Sequence, residues 1–230
     1  MEEVLRVLSE THAFILSGEP KGYGVLLGVL VGTFYLSAAY MVIGLVRAVL
    51  ATDIWLFTAA IESVVKFFGR VAAILIPILA ILITYEVVAR YAFGAPTFWA
   101  FEISYMLMGI SLMLGIAWCS QVRKHIRVDF LYDNLPQKGK STIDLLGYVV
   151  LLIPILVWLS WALFAYFIEA YKVNEQSGES AWNPIIWPFK FSFAFGFFLF
   201  TMQTIAEAIK CAMGLMGRDV PEPDVPGGLH

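Results

Sequence analysis

The chain has 230 residues, of which 60% are hydrophobic and only 14% charged, and its mean hydropathy is +0.80. A soluble domain is about half apolar and a quarter charged, so 15 Lys plus Arg and 18 Asp plus Glu cannot furnish a water-facing shell for a chain of this length. The formal net charge of −3 without a basic stripe argues against nucleic-acid binding. Two isolated cysteines, Cys119 and Cys211, give neither a disulfide framework nor a metal cluster.

In chain order, residues 1–21 carry Glu2, Glu3, Arg6 and Glu10 ahead of a first apolar run too long for a signal h-region. Residues 22–46 hold no charge, and 25 positions at about 1.5 Å each cross a hydrocarbon core of roughly 30 Å. Gly24, Gly28 and Gly32 form one stripe along this span, an arrangement that lets another transmembrane helix approach closely, whether from this chain or from a partner. Residues 51–68 mix Asp53, Glu62 and Lys66 with Trp55, Ile61 and Phe67, the pattern of a helix lying in the interface. Residues 71–93 make a second span, with Pro77 as a kink point, and Gly94 and Pro96 form a turn. The third span is 99–120, the fourth 145–168 and the fifth 191–206. The expected fold is therefore all-α, a polytopic helical membrane protein of about five transmembrane helices with an interfacial helix.

Charge asymmetry sets the orientation. The loop 121–141 contains Arg123, Lys124, Arg127, Lys138 and Lys140 and is expected on the cytoplasmic side. The Gly94 turn and the 169–183 loop then face outward, the N-terminus is external and the C-terminus cytoplasmic.

Charges at membrane depth mark a pair, a path or a partner contact. Glu86 and Arg90 are spaced for an intrahelical ion pair, and the turn returns Glu102 to the same level, so Arg90 is placed to clamp both carboxylates. The same three residues could instead face an external partner. Haem or metal ligation would need histidines within the bundle, whereas His12, His125 and His230 all lie outside the spans. No nucleotide loop, nucleophile elbow or metalloprotease motif is present, and Glu175 and Glu179 sit in a polar turn. Neither an enzyme nor a cofactor is expected. With so few polar residues in the spans, a solute path through this chain alone has little to line it, which suggests a supporting subunit.

The stretch YEVVARYAFGAPTFWAFEISYMLMGISLMLGIAWCSQVRKHIRVDFLYDNLP, residues 85–136, resembles the small membrane subunit of tripartite ATP-independent periplasmic (TRAP) transporters, the DctQ-type family. The resemblance rests on Glu86, an Arg-Tyr pair at 90–91, an aromatic and proline turn, Trp99 and Glu102 opening the next helix, and His125-Ile-Arg127-Val-Asp129 in the basic loop. It extends more loosely through residues 179–190 and over about 68–213. The resemblance implies a noncatalytic small permease subunit in the bacterial inner membrane, part of a sodium-driven uptake system for organic acids. Its partners would be a large TRAP permease subunit, a periplasmic solute-binding protein and membrane lipid. Glu86, Arg90, Trp99, Glu102, His125, Arg127 and Asp129 would have structural and interface roles, with His125 bonding locally to Asp129 or lipid phosphate. The family usually has four spans. On this reading 1–21 is an external segment, 22–47 an added helix, 48–68 a connector, 69–213 the four-helix domain and 214–230 a disordered tail. The rival class is a membrane anchor of a respiratory complex, which a haem absorption band would reveal.

Overall fold

A computed structural model describes residues 24–122 and 136–220. The described residues form helices α1 (Gly24–Ala51), α2 (Trp55–Ala92), α3 (Ala100–Gln121), α4 (Gln137–Leu146), α5 (Ile153–Lys172) and α6 (Trp187–Leu215). A π-helical stretch, Gly147–Leu152, joins α4 to α5. Five segments are long and apolar enough to cross a membrane, since α4, the π stretch and α5 run on as one. The expected all-helical, five-span architecture is therefore present. Helix is what lipid demands, because no water is available there for unpaired backbone groups.

The connections follow from local chemistry. Helix α1 stops where Thr52 takes a left-handed φ of 54°, and the Asp53 N–H donates back to the Ala48 carbonyl at 2.9 Å. That conformation strains a β-branched residue. Asp53 Oδ1 then accepts the Trp55 N–H at 3.1 Å and helps to start α2.

At 38 residues, α2 is about 57 Å long. The segment 51–68, expected as an interfacial helix of its own, is instead mostly the first half of α2. No proline separates it from the span that follows, and the helix continues through Pro77. Gly69, a poor helix former, serves packing: a Cβ there would lie 2.5 Å from the Trp118 side chain. Gly94, at φ +61°, then turns the chain into α3. The fourth span also starts earlier than expected, at Gly139. Its π stretch ends just before Pro154, whose missing N–H cannot close an ordinary helical hydrogen bond to the preceding turn.

Helix α6 is the axis of the bundle. Its most apolar window is 61% buried, against 6% for that of α2. It touches α1, α2, α3, α4 and α5. Its phenylalanines form a continuous aromatic core, with Phe195 against Phe68 at 4.8 Å, Phe198 against Phe34 at 4.8 Å and Phe191 against Phe167 at 5.3 Å between ring centroids. Close approach is set by single glycines. A Cβ on Gly196 would lie 2.5 Å from the Met113 carbonyl oxygen, and one on Gly109 would lie 2.6 Å from the Phe189 ring.

Helix α1 packs within this chain through Leu27, Val31, Met41 and Ala48, all buried. Gly44 makes its tightest approach, to Ala60. Gly24, Gly28 and Gly32 have nothing within 4 Å of the position a Cβ would occupy, so among the described residues the stripe contacts no helix.

Candidate functional site

Two polar clusters occupy opposite ends of the bundle. The first lies at the end that carries the Gly94 turn. Helices α2 and α3 are antiparallel around that turn, which returns Thr97 to the last turns of α2. Glu86 Oε1 accepts from Arg90 Nη2 at 2.6 Å and from Nε at 3.2 Å. Its other oxygen accepts the Thr97 N–H at 3.2 Å and the Thr97 hydroxyl. One carboxylate therefore fixes the helix end and the turn together. Tyr85 stacks on Trp99 beside it, with ring centroids 6.0 Å apart.

Arg90 does not clamp two carboxylates. Its side chain is 50% exposed and among the described residues pairs with Glu86 alone. Glu102, one turn into α3, is fully buried, and its Oε1 accepts the Ser180 hydroxyl from the loop between α5 and α6. Its Oε2 and the Tyr105 hydroxyl are buried without a hydrogen-bond partner among the described residues.

The α5–α6 loop is built to cap this end. Gln176 and Ile185 form an isolated antiparallel bridge, Asn183 Oδ1 accepts the Gly178 N–H at 2.8 Å, and Asn174 and Asn183 hold left-handed conformations that asparagine tolerates. Lys190, buried at the start of α6, donates to Glu175 and lies 3.7 Å from the centroid of the Tyr166 ring. Ion pair and cation–π contact together anchor the loop to two helices.

The second cluster is at the end that carries Thr52. Lys210 Nζ donates to Glu62 and to Glu207, the latter at 3.1 Å, and Gln203 Nε2 donates to the same Glu207 oxygen at 3.1 Å. Lys210 and Glu207 are only 3% and 2% exposed. An unpaired charge at such depth costs several kcal/mol, so the cluster is tolerated because the charges are mutual. It ties α2 to α6. Its one signal in the sequence is local: Gln203, Glu207 and Lys210 recur at four- and three-residue spacing, a polar stripe along one face of α6.

Between the two ends, polar side chains are turned inward on their own helices. Ser192, Thr201 and Thr204 donate to the carbonyls of Phe189, Phe197 and Phe200. Thr201 also meets Ser160 at 3.1 Å. Ser160 and Thr201 border a largely apolar cavity of about 510 Å³, where both hydroxyls are already engaged. Of the residues singled out in the sequence, Glu86, Arg90, Trp99 and Glu102 gather at one end, whereas His125, Arg127 and Asp129 lie outside the described residues, as do His12 and His230.

A family model described as "Tripartite ATP-independent periplasmic transporters, DctQ component" matches residues 79–213, more than half of the chain. Neither the curated proteins nor the solved structures searched returned a match.

Proposed function

Because the chain belongs to the DctQ family and is thus a noncatalytic component of a tripartite membrane transporter, we propose that it is a brace for the large permease subunit and helps to seat the periplasmic solute-binding protein. The observation that carries this reading is the family match over the four-helix part of the chain. It agrees with the Lys210–Glu62 pair that ties α2 to α6 at one end, with the Lys190–Glu175 pair that ties the α5–α6 loop to α6 at the other, and with mid-bundle hydroxyls bonded to their own backbones. A moving transport domain needs a static support, and mutual ion pairs with tight glycine contacts suit a rigid element. In this reading the transported solutes are organic acids and uptake is driven by sodium, with the chemistry of both in the larger subunit.

The charge distribution supports an orientation with the Gly94 end periplasmic and the basic 121–141 loop cytoplasmic, hence an external N-terminus and a cytoplasmic C-terminus. The Glu86–Arg90 pair, the neighbouring aromatics and the α5–α6 loop would then face the binding protein. The Gly24, Gly28 and Gly32 stripe, with open space at each Cβ position, would receive a helix of the large subunit.

Affinity purification from native membrane should recover a much larger polytopic protein with this chain. Recovery of the chain alone, active as a transporter in liposomes, would defeat the proposal.

A further inference from the structure

Two cavities open along the seam between α1 and α2. One, of about 320 Å³, is lined by Tyr40, Gly44, Arg47, Leu56, Ala59 and Ser63 among others. The second, of about 270 Å³, is lined by Leu36, Ser37, Tyr40, Val64, Phe67 and Phe68 among others. Tyr40 is common to both, so they are neighbouring parts of one groove. Its two parts differ in chemistry. The first collects a guanidinium and a serine hydroxyl near the Thr52 end, and the second is predominantly apolar and runs toward mid-membrane.

The carboxylates in and just before the first half of α2 are already engaged. Glu62 bonds to Lys210, and Asp53 Oδ1 accepts the Trp55 N–H. Arg47 is exposed and among the described residues has no ion-pair partner. A cation at the rim of a span, beside hydroxyls and above an apolar trough, matches a phosphodiester with an attached chain. Length agrees too. From Arg47 back to Leu36, helix α1 rises about 16 Å, close to half of a hydrocarbon core of roughly 30 Å. A phosphate held at Arg47 therefore places an acyl chain along the whole apolar part.

We propose that this groove is a specific phospholipid site, with the headgroup phosphate on Arg47 and Ser63 and one acyl chain lying over Leu36, Val64 and Phe67. The lipid would fill the outer seam of the α1–α2 hairpin, alongside the close approach of Gly44 to Ala60. All of these residues precede the family match at 79–213, so the inference does not depend on it.

A photoreactive benzoylphenylalanine in place of Leu36, a residue 74% exposed, tests the proposal in the full-length protein irradiated in native membranes. Mass spectrometry should find an adduct carrying one phospholipid. Arg47→Gln should lower that adduct about fivefold, the effect of losing one basic contact to a lipid phosphate. Ala59→Trp, which fills the headgroup end from an exposed position, should lower it as well. The same crosslinker at Val25, 85% exposed, reports bulk lipid and should not respond to Arg47→Gln. Labelling at Leu36 that persists undiminished in both variants overturns the proposal. So does an adduct to a second polypeptide, which would assign the groove to a partner's helix.

Discussion

Replacing Lys210 by Met tests the idea that buried charge, not apolar packing alone, locks α2 to α6. The substitution keeps an unbranched side chain of similar length but removes the cation that bonds to both Glu207 and Glu62. Glu207 is 2% exposed and Gln203 supplies it a single neutral donor at 3.1 Å. Breaking a buried pair by removing one partner costs about 3–5 kcal/mol, because the remaining charge stays desolvated. Removing the opposing charges in the same protein should return most of that loss. The triple variant Lys210→Met, Glu62→Gln, Glu207→Gln should therefore lie within about 1–2 kcal/mol of the parent, as buried ion pairs replaced whole are often near neutral. Thermal unfolding of the detergent-purified protein, followed by tryptophan fluorescence, measures both. On the scaling for chains of this length, the single variant should melt on the order of 10 °C lower. A single variant that melts with the parent would show that the carboxylates are solvated or otherwise paired. A triple variant worse than the single would show that each carboxylate has a separate structural role, and either result refutes the reasoning.

The Glu86 cluster makes an asymmetric prediction. Arg90→Ala should cost less than about 1 kcal/mol, since the guanidinium is half exposed, whereas Glu86→Ala also removes the acceptor for the Thr97 N–H and hydroxyl and should lower the melting temperature further than Arg90→Ala does. Ser180→Ala deprives the buried Glu102 of its one donor seen among the described residues and should cost about 1–3 kcal/mol, with faster hydrogen exchange in the 177–183 loop; unchanged exchange would show that the loop is held elsewhere. Gly196→Leu, driven against the Met113 carbonyl, should destabilise the isolated chain by about 3 kcal/mol, and a parental melting curve would refute the tight contact. Gly28→Leu should leave that melting curve unchanged, having open space around it, and should lower co-purification of the large subunit if the stripe receives a partner helix.

How much could be read in advance depended on the range of the interaction concerned. Hydropathy is a local sum, and it located five spans because lipid imposes the same requirement on every helix wherever it lies in the bundle. The Glu86–Arg90 pair was equally legible, since a four-residue spacing puts both side chains on one helix face. Partner choice across helices was not. Arg90 had two carboxylates within a plausible distance in sequence, and only the folded bundle sends Glu102 inward to Ser180, 78 residues away. Lys210 and Glu62 are 148 residues apart, so their pairing has no local signature. The three glycines at four-residue spacing look like a packing face by periodicity, yet the helices close on Gly44, Gly69, Gly109 and Gly196, each isolated in sequence. A close approach needs only one missing Cβ where two axes cross, and no period in the sequence marks a crossing point.

By itself, then, the sequence determined the solvent of this protein, the number of its spans and its family. Each follows from composition or from contiguous motifs. The tertiary structure decided which helix is central, which charges neutralise which, and that α1 packs on α6 through Phe34 while its glycine stripe stays open. Those outcomes depend on how six helical segments share one volume, and side chains far apart in the chain become neighbours only once that volume is filled.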